Sequence, residues 1–170
     1  IKEGYEDTDV FSIDTSVFTR LIKAMALMGE WKPLFDFLTG HMKESMALRD
    51  LIKGEKSVQA FLNVYLGLSN LYIVHQEKEM NDGFADLVLE PFLERFPAIA
   101  YSYLLEIKYV KKSQKQNLTP KTIETLKTEA QSQLNRYALD KKFNNTVAKT
   151  KLIKLVLIFC GPELIYIGDI

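Results

Sequence analysis

The sequence predicts an α/β fold in which a helix, three strands, a second helix and two strands follow a small helical region. Three observations carry that expectation. Apolar residues recur at spacings of three and four as far as about residue 68, and from residue 71 the runs become β-branched and aromatic. Asn81-Asp82-Gly83 supplies a tight turn between two such runs, which reads as a hairpin. Thr119-Pro120 then opens a long helical pattern between two further apolar stretches.

Taken in order, residues 1–14 are polar and irregular, and their acidic-aromatic stretch 5–11 is a candidate contact for a partner or a neighbouring domain. Val17, Leu21, Ala24, Met25 and Met28 fall on one helical face, and residues 31–46 continue in the same style after Gly29. Residues 15–50 form the small helical region, and Gly54 marks the break. A helix over 55–68 presents Val58, Leu62, Tyr65 and Leu66. Strands are expected over 71–80, 84–90 and 99–110, the third so apolar at its start that both faces should be covered. The helix from Pro120 to about residue 139 turns Ile123, Leu126, Ala130, Leu134 and Tyr137 inward. Strands over 152–160 and 163–167 surround the Gly161-Pro162 turn. The expected division is a helical region over 1–50 and an α/β domain over 51–170.

Composition excludes several classes. At 47% apolar and 11% aromatic residues, the 170-residue chain has enough to bury a core. Its 22 basic and 22 acidic residues cancel, so any affinity for nucleic acid must be local. Cys160 is the only cysteine, which rules out an intrachain disulfide and a thiolate cluster and fits a reducing, cytoplasmic setting. No apolar run reaches membrane-spanning length, and the acidic start is unlike a signal sequence. A first residue of Ile1 rather than methionine leads us to expect a piece of a longer protein.

The chemistry concentrates on two strands. In Glu106-Ile107-Lys108 the period of two puts both charges on one face, beside an apolar run where ionised groups are costly unless paired or bound to an ion. Asp86 interrupts the apolar run 84–89, although aspartate is a poor strand former. If the two strands are neighbours, Asp86, Glu106 and the backbone carbonyl of Ile107 can converge on one cation. Oxygen-only ligands suit Mg²⁺ or Mn²⁺, and no cysteine or histidine cluster argues for zinc.

Asp86 followed twenty residues later by Glu106-Ile107-Lys108 resembles the D...E-x-K core of the PD-(D/E)XK nuclease superfamily. The element order is similar to its restriction-endonuclease-like αβββαβ core, a mixed central sheet flanked by helices. Glu55 resembles the helical acidic residue that assists the metal site in many members. Gln133 and Tyr137 reproduce the Q-x-x-x-Y motif of the RecB-like branch, four apart and so on one helix face. The run 83–91, with the Glu106 motif and the helix segment 129–137, resembles the nuclease domain behind AAA-type ATPase-like domains in bacterial proteins, especially from Bacteroidetes. The helical region is similar to the linker that follows the ATPase part. Ala85 stands where the family name has proline, and Phe84 stands at a position often basic in relatives.

The resemblance implies a Mg²⁺- or Mn²⁺-dependent nuclease acting on nucleic acid, DNA ahead of RNA. Asp86, Glu106, Lys108, Gln133 and Tyr137 would be catalytic, and Asp86, Glu106, the Ile107 carbonyl and Glu55 would be metal-binding. Lys108, Lys111, Lys112, Lys115 and Lys121 lie in a segment without acidic residues, where the last four could hold a phosphate backbone. The same segment also reads as an exposed polar loop. An E-x-K in a strand recurs by chance, and an acid in a first helical turn, such as Glu55, is favoured by the helix dipole with or without metal. Glu77 and Glu79 read as solvated strand-end charges, His41 and His75 as lone histidines, and Cys160 as packing. Two rival readings stay open: a catalytically inactive copy of the fold that binds for, or couples to, an ATPase domain, and an unrelated α/β interaction domain.

Overall fold

The computed structural model describes residues 13–170, so the stretch 5–11 lies outside the described residues. Helices α1 (Thr15–Met28), α2 (Lys32–Glu44), α3 (Met46–Leu51) and α4 (Glu55–Leu66) precede strands β1 (Tyr72–Met80), β2 (Gly83–Pro91) and β3 (Tyr101–Val110). Helices α5 (Pro120–Tyr137) and α6 (Lys141–Val147) then lead to β4 (Lys151–Cys160) and β5 (Glu163–Asp169). The five strands form one sheet in the order β1-β2-β3-β4-β5. Only β3 and β4 pair in parallel, and the other neighbours are antiparallel. This is the mixed sheet flanked by helices expected from the sequence. Among the described residues no helix is long and apolar enough to cross a membrane.

Helices cover both faces of the sheet. Beneath α1–α4, Phe18, Met25, Phe35, Leu38, Leu62 and Leu66 pack with Leu87, Leu89, Tyr103, Leu105, Ile107, Leu155 and Leu157. Beneath α5 and α6, Ala130, Leu134, Tyr137 and Phe143 pack with Ala85, Val88, Leu104, Val156 and Ile158. Strands β3 and β4 therefore alternate between two cores, which explains their unbroken apolar runs. Each fully buried Leu, Ile or Phe contributes about 1.5–3 kcal/mol relative to exposure. Two buried phenols find backbone acceptors: Tyr103 donates to the Met25 carbonyl at 2.6 Å and Tyr72 to that of Tyr101 at 2.8 Å.

Local chemistry sets the element ends. Asp14 caps α1 by accepting from the Ser16 and Val17 amides. Gly29 ends that helix at φ 73, where an added Cβ would lie 2.9 Å from the Tyr101 ring. Thr119 accepts from the Thr122 amide and Pro120 opens α5, as the sequence indicates. Two details differ. The helical pattern over 31–46 is broken at Ser45, whose extended backbone ends α2 and whose hydroxyl caps α3 by accepting from the Leu48 amide. The long helix stops at Tyr137 rather than near 139, because Asp140 starts α6 by accepting from the Phe143 amide at 2.8 Å.

The other Asp140 oxygen accepts from the Asn81 amide at 2.9 Å, which ties the β1–β2 turn to the α5–α6 corner. Asp140→Ala removes a helix cap and this tether together. It should cost about 1–2 kcal/mol, read as a lower urea midpoint with an unchanged slope.

Candidate functional site

Strands β2 and β3 are joined over only three pairs, Leu87–Leu89 with Tyr103–Leu105. The next pair in register is Asp86 with Glu106, and there the ladder stops. On the opposite edge of β2, the β1 ladder runs through Gln76–Leu87 and Lys78–Ala85 but skips the pair Glu77–Asp86. Glu77 has φ 53, an uncommon conformation for a residue with a side chain. Ala85 and Leu87, two residues apart and expected on one face, enter opposite cores. Strand β2 is thus kinked at Asp86, where a fork opens toward β3.

The Asp86 carboxylate fills that fork. Its Oδ2 accepts the Ile107 N–H at 2.7 Å, in place of a backbone carbonyl, and its Oδ1 accepts from the Gln59 side-chain amide at 2.9 Å. Glu106 lies on the α5 side by alternation with Leu104, and both acids are buried, at 8% and 4% exposure. Lys108, two residues further on the same face, donates to Glu106 Oε1 at 3.3 Å and to Gln133 Oε1 at 2.5 Å. Gln133 also lies near enough to the Tyr137 hydroxyl to act on it, one turn along the same helix face. Tyr137 in turn covers Gly83 at the start of β2, where φ is 147 and an added Cβ would sit 3.2 Å from the ring and the hydroxyl.

Burial dominates the electrostatics. It pushes the Asp86 carboxyl up to about 6, opposed by the Ile107 N–H and raised further by Glu55. Burial and then the negative charge of Asp86 push Glu106 up to about 8, with Lys108 opposing. Tyr137 is raised by burial first and by Glu106 second. The charges of Asp86 and Glu106 thus reach across β2, β3 and α5.

Among the described residues Glu106 Oε2 is buried without a hydrogen-bond partner, an arrangement that is costly unless something else supplies positive charge. The N–H and C=O of one strand residue point the same way, so the Ile107 carbonyl faces the fork as well. Two carboxylates and a carbonyl form a hard oxygen donor set that fits a divalent cation completed by water. Among the described residues no three His, Cys, Asp or Glu side chains stand together as a ready-made cage.

Glu55, in the first turn of α4, reaches this group through Gln59. The Gln59 amide donates to Asp86 and, at 3.4 Å, to Glu55 Oε1, while its own oxygen accepts from Gln76 at 3.4 Å. Gln59 is fully buried and was not among the residues singled out from the sequence. Its position was a usable signal, because an amide beside Val58 and Leu62 on the apolar stripe of α4 needs a polar partner inside.

The lysines divide. Lys111 precedes a 3-10 turn over Lys112–Asn117, and all three of Lys111, Lys112 and Lys115 are exposed. Lys112 and Lys115 line a cavity of about 320 Å³ with Lys43 and Arg49, residues of α2 and α3. Lys115 lies 3.6 Å from Glu163. They turn toward the helical layer opposite α5. Lys121 instead is exposed on the first turn of α5. His75 is not alone, because Glu90 lies 2.6 Å from its Nε2, and Glu77 is ion-paired with Lys56.

The stretch from just before α4 to the end of β5 contains the kinked strand, the fork and the motif helix. A family model for the PD-(D/E)XK nuclease superfamily matches residues 53–168, more than half of the chain. No curated protein matches it. The match spans the same sheet, helices and charged residues that the geometry brings together, and on it the chain belongs to the PD-(D/E)XK nuclease superfamily.

Proposed function

We propose that this chain is a divalent-metal-dependent nuclease that hydrolyses phosphodiester bonds, with DNA as its substrate and Asp86, Glu106 and Lys108 at its centre. The observation that carries the reading is the fork: two buried acids on facing strands, one with an orphaned oxygen, beside a lysine held by Gln133. Asp86, Glu106 and the Ile107 carbonyl would hold Mg²⁺ or Mn²⁺, with Glu55 brought near through Gln59. When bound, the cation supplies the Lewis acidity that lets water attack near neutral pH and that offsets charge on the phosphate.

The side chains do the rest. Lys108 has three N–H donors; Glu106 and Gln133 take two, and the third is free for a phosphate oxygen as negative charge develops. Gln133 fixes the direction of that ammonium, and Tyr137 stands one turn further along the same helix face. The choice of DNA, the RecB-like branch and an attached ATPase-like domain, with residues 1–50 as its linker, rest on the Q-x-x-x-Y pair and the sequence around Asp86.

Purified protein should cut DNA with Mn²⁺ or Mg²⁺ and lose about 10²–10³-fold in rate in Lys108→Ala, with Glu106→Ala inactive. Equal cutting by these variants would sink the assignment, and a wild-type chain that takes up no Mn²⁺ in calorimetry would favour the inactive coupling module.

Gln59→Leu removes both carboxylate contacts while keeping the volume roughly constant. It should weaken Mn²⁺ binding by about 10–100-fold, measured calorimetrically against an unchanged fold by circular dichroism.

The raised carboxyls also set a pH dependence. Well below pH 4 both acids are protonated whether or not the chain is folded. From there to about 8 the folded chain keeps protons that the unfolded chain has released. Unfolding therefore releases protons in this window, and rising pH destabilises the metal-free protein. Its melting temperature should fall from pH 5 to pH 8, less steeply in Glu106→Gln, and Mn²⁺ should restore it at pH 8; a melting temperature that rises with pH would contradict the burial of these acids.

A further inference from the structure

Beside Lys108 and Gln133 the surface sinks into a hollow of about 470 Å³ whose wall is α5, with Ser132 and Arg136 among its lining residues. A second hollow of about 300 Å³ continues along the same helix to Lys121, and the two share Thr128 and Glu129. Lys121, Thr128, Ser132 and Arg136 follow at intervals of seven, four and four, which keeps them on one outward stripe. The stripe is about 22 Å long at the 1.5 Å rise per residue.

Charge identifies the occupant. Two cations, Lys121 and Arg136, face one acid, Glu129, that has no ion-pair partner among the described residues, since Glu124 is engaged by Lys127 at 3.1 Å and Lys108 by Glu106 at 3.3 Å. Among the described residues Arg136 has no ion-pair partner, although it lies near enough to Tyr137 to act on its hydroxyl. The donors are also selective. The Thr128 hydroxyl is turned back onto the Glu124 carbonyl at 2.9 Å, so it has no proton to give. Ser132 and Arg136, one turn apart, keep theirs. An acceptor-only anion such as a phosphodiester suits that pair, and a row of such anions suits the stripe.

We propose that the nucleic-acid strand being cut leaves Lys108 along α5, with Arg136 and Ser132 holding the phosphate next to the scissile one and Lys121 a phosphate further on. This rests on the nuclease reading for its direction and adds the path of the substrate. Lys112 and Lys115 lie off that path, on the opposite side of the sheet. Because the contacts are to backbone, the track reads no sequence.

The test is fluorescence anisotropy of the full chain, without divalent metal, on a fluorescein-labelled single-stranded DNA of mixed sequence at several salt concentrations. Arg136→Ala should weaken binding about tenfold and reduce the slope of log affinity against log salt by about one. Arg136→Lys should recover part of the loss. Lys121→Ala should give a smaller loss, and Lys23→Ala, on the outer face of α1, none. All three positions are exposed, so folding is checked simply by melting temperature. Unchanged affinity and slope in Arg136→Ala, or no binding by the wild-type chain, would overturn the track. Cutting assays on the same proteins separate the two readings. Metal-dependent cutting with an Arg136→Ala variant that binds normally removes the track alone. Arg136-dependent binding without any cutting removes the nuclease reading and leaves α5 as a binding surface.

Discussion

The hydrogen bond from the Ile107 amide to the Asp86 carboxylate is the contact on which the site depends. A strand that parts from its neighbour leaves backbone groups with no ladder partner, and in a buried sheet these must be satisfied. Here a charged side chain takes the role of the missing carbonyl, so the sheet can split without losing a donor. The charge is thereby drawn into the layer of strands itself, where water has little access. From that follow the raised affinity of both acids for protons, the orphaned oxygen of Glu106, and the need for Gln59 to occupy the other Asp86 oxygen.

Much of this was legible in the sequence. Alternation alone puts Glu106 and Lys108 on one face, and a spacing of four puts Gln133 and Tyr137 on another; the structure joins the two pairs through a 2.5 Å contact. Asp86 was legible as an anomaly but its orientation was not, because it depends on the kink at Glu77–Asp86, which no local pattern announces. Gln59 was hidden for a different reason. Its partners lie 4, 17 and 27 residues away, and only the packing of α4 on the sheet brings the four together. Helix α6 escaped because two buried residues, Phe143 and Val147, make too short a stripe to separate from a loop. The break at Ser45 was masked by apolar residues that keep their spacing across it.

The helical region before α4 does not stand apart from the sheet. Phe18, Met25 and Phe35 share a core with Leu105 and Ile107, and the Tyr103 hydroxyl reaches the Met25 carbonyl. The residue between those two strand positions is Glu106. One side of its backbone is therefore wedged by the apolar core shared with α1 and α2, while its side chain emerges toward α5. Rigidity of an acid in a low-dielectric place has to come from such flanking contacts, since a mobile carboxylate would swing out to water.

Ten consecutive partners join β3 to β4, from Tyr101–Lys151 to Val110–Cys160. Sliding one strand by a single position would turn Leu105 and Ile107 toward α5 and bury Glu106 and Lys108 against α1–α4, inverting hydrophobic and charged faces at once. The parallel zipper thus acts as a ruler that fixes the charged dyad in depth, independent of the crossover that links the two strands. Insertions and deletions in the 111–119 segment can change how the chain travels without changing where its reactive groups stand.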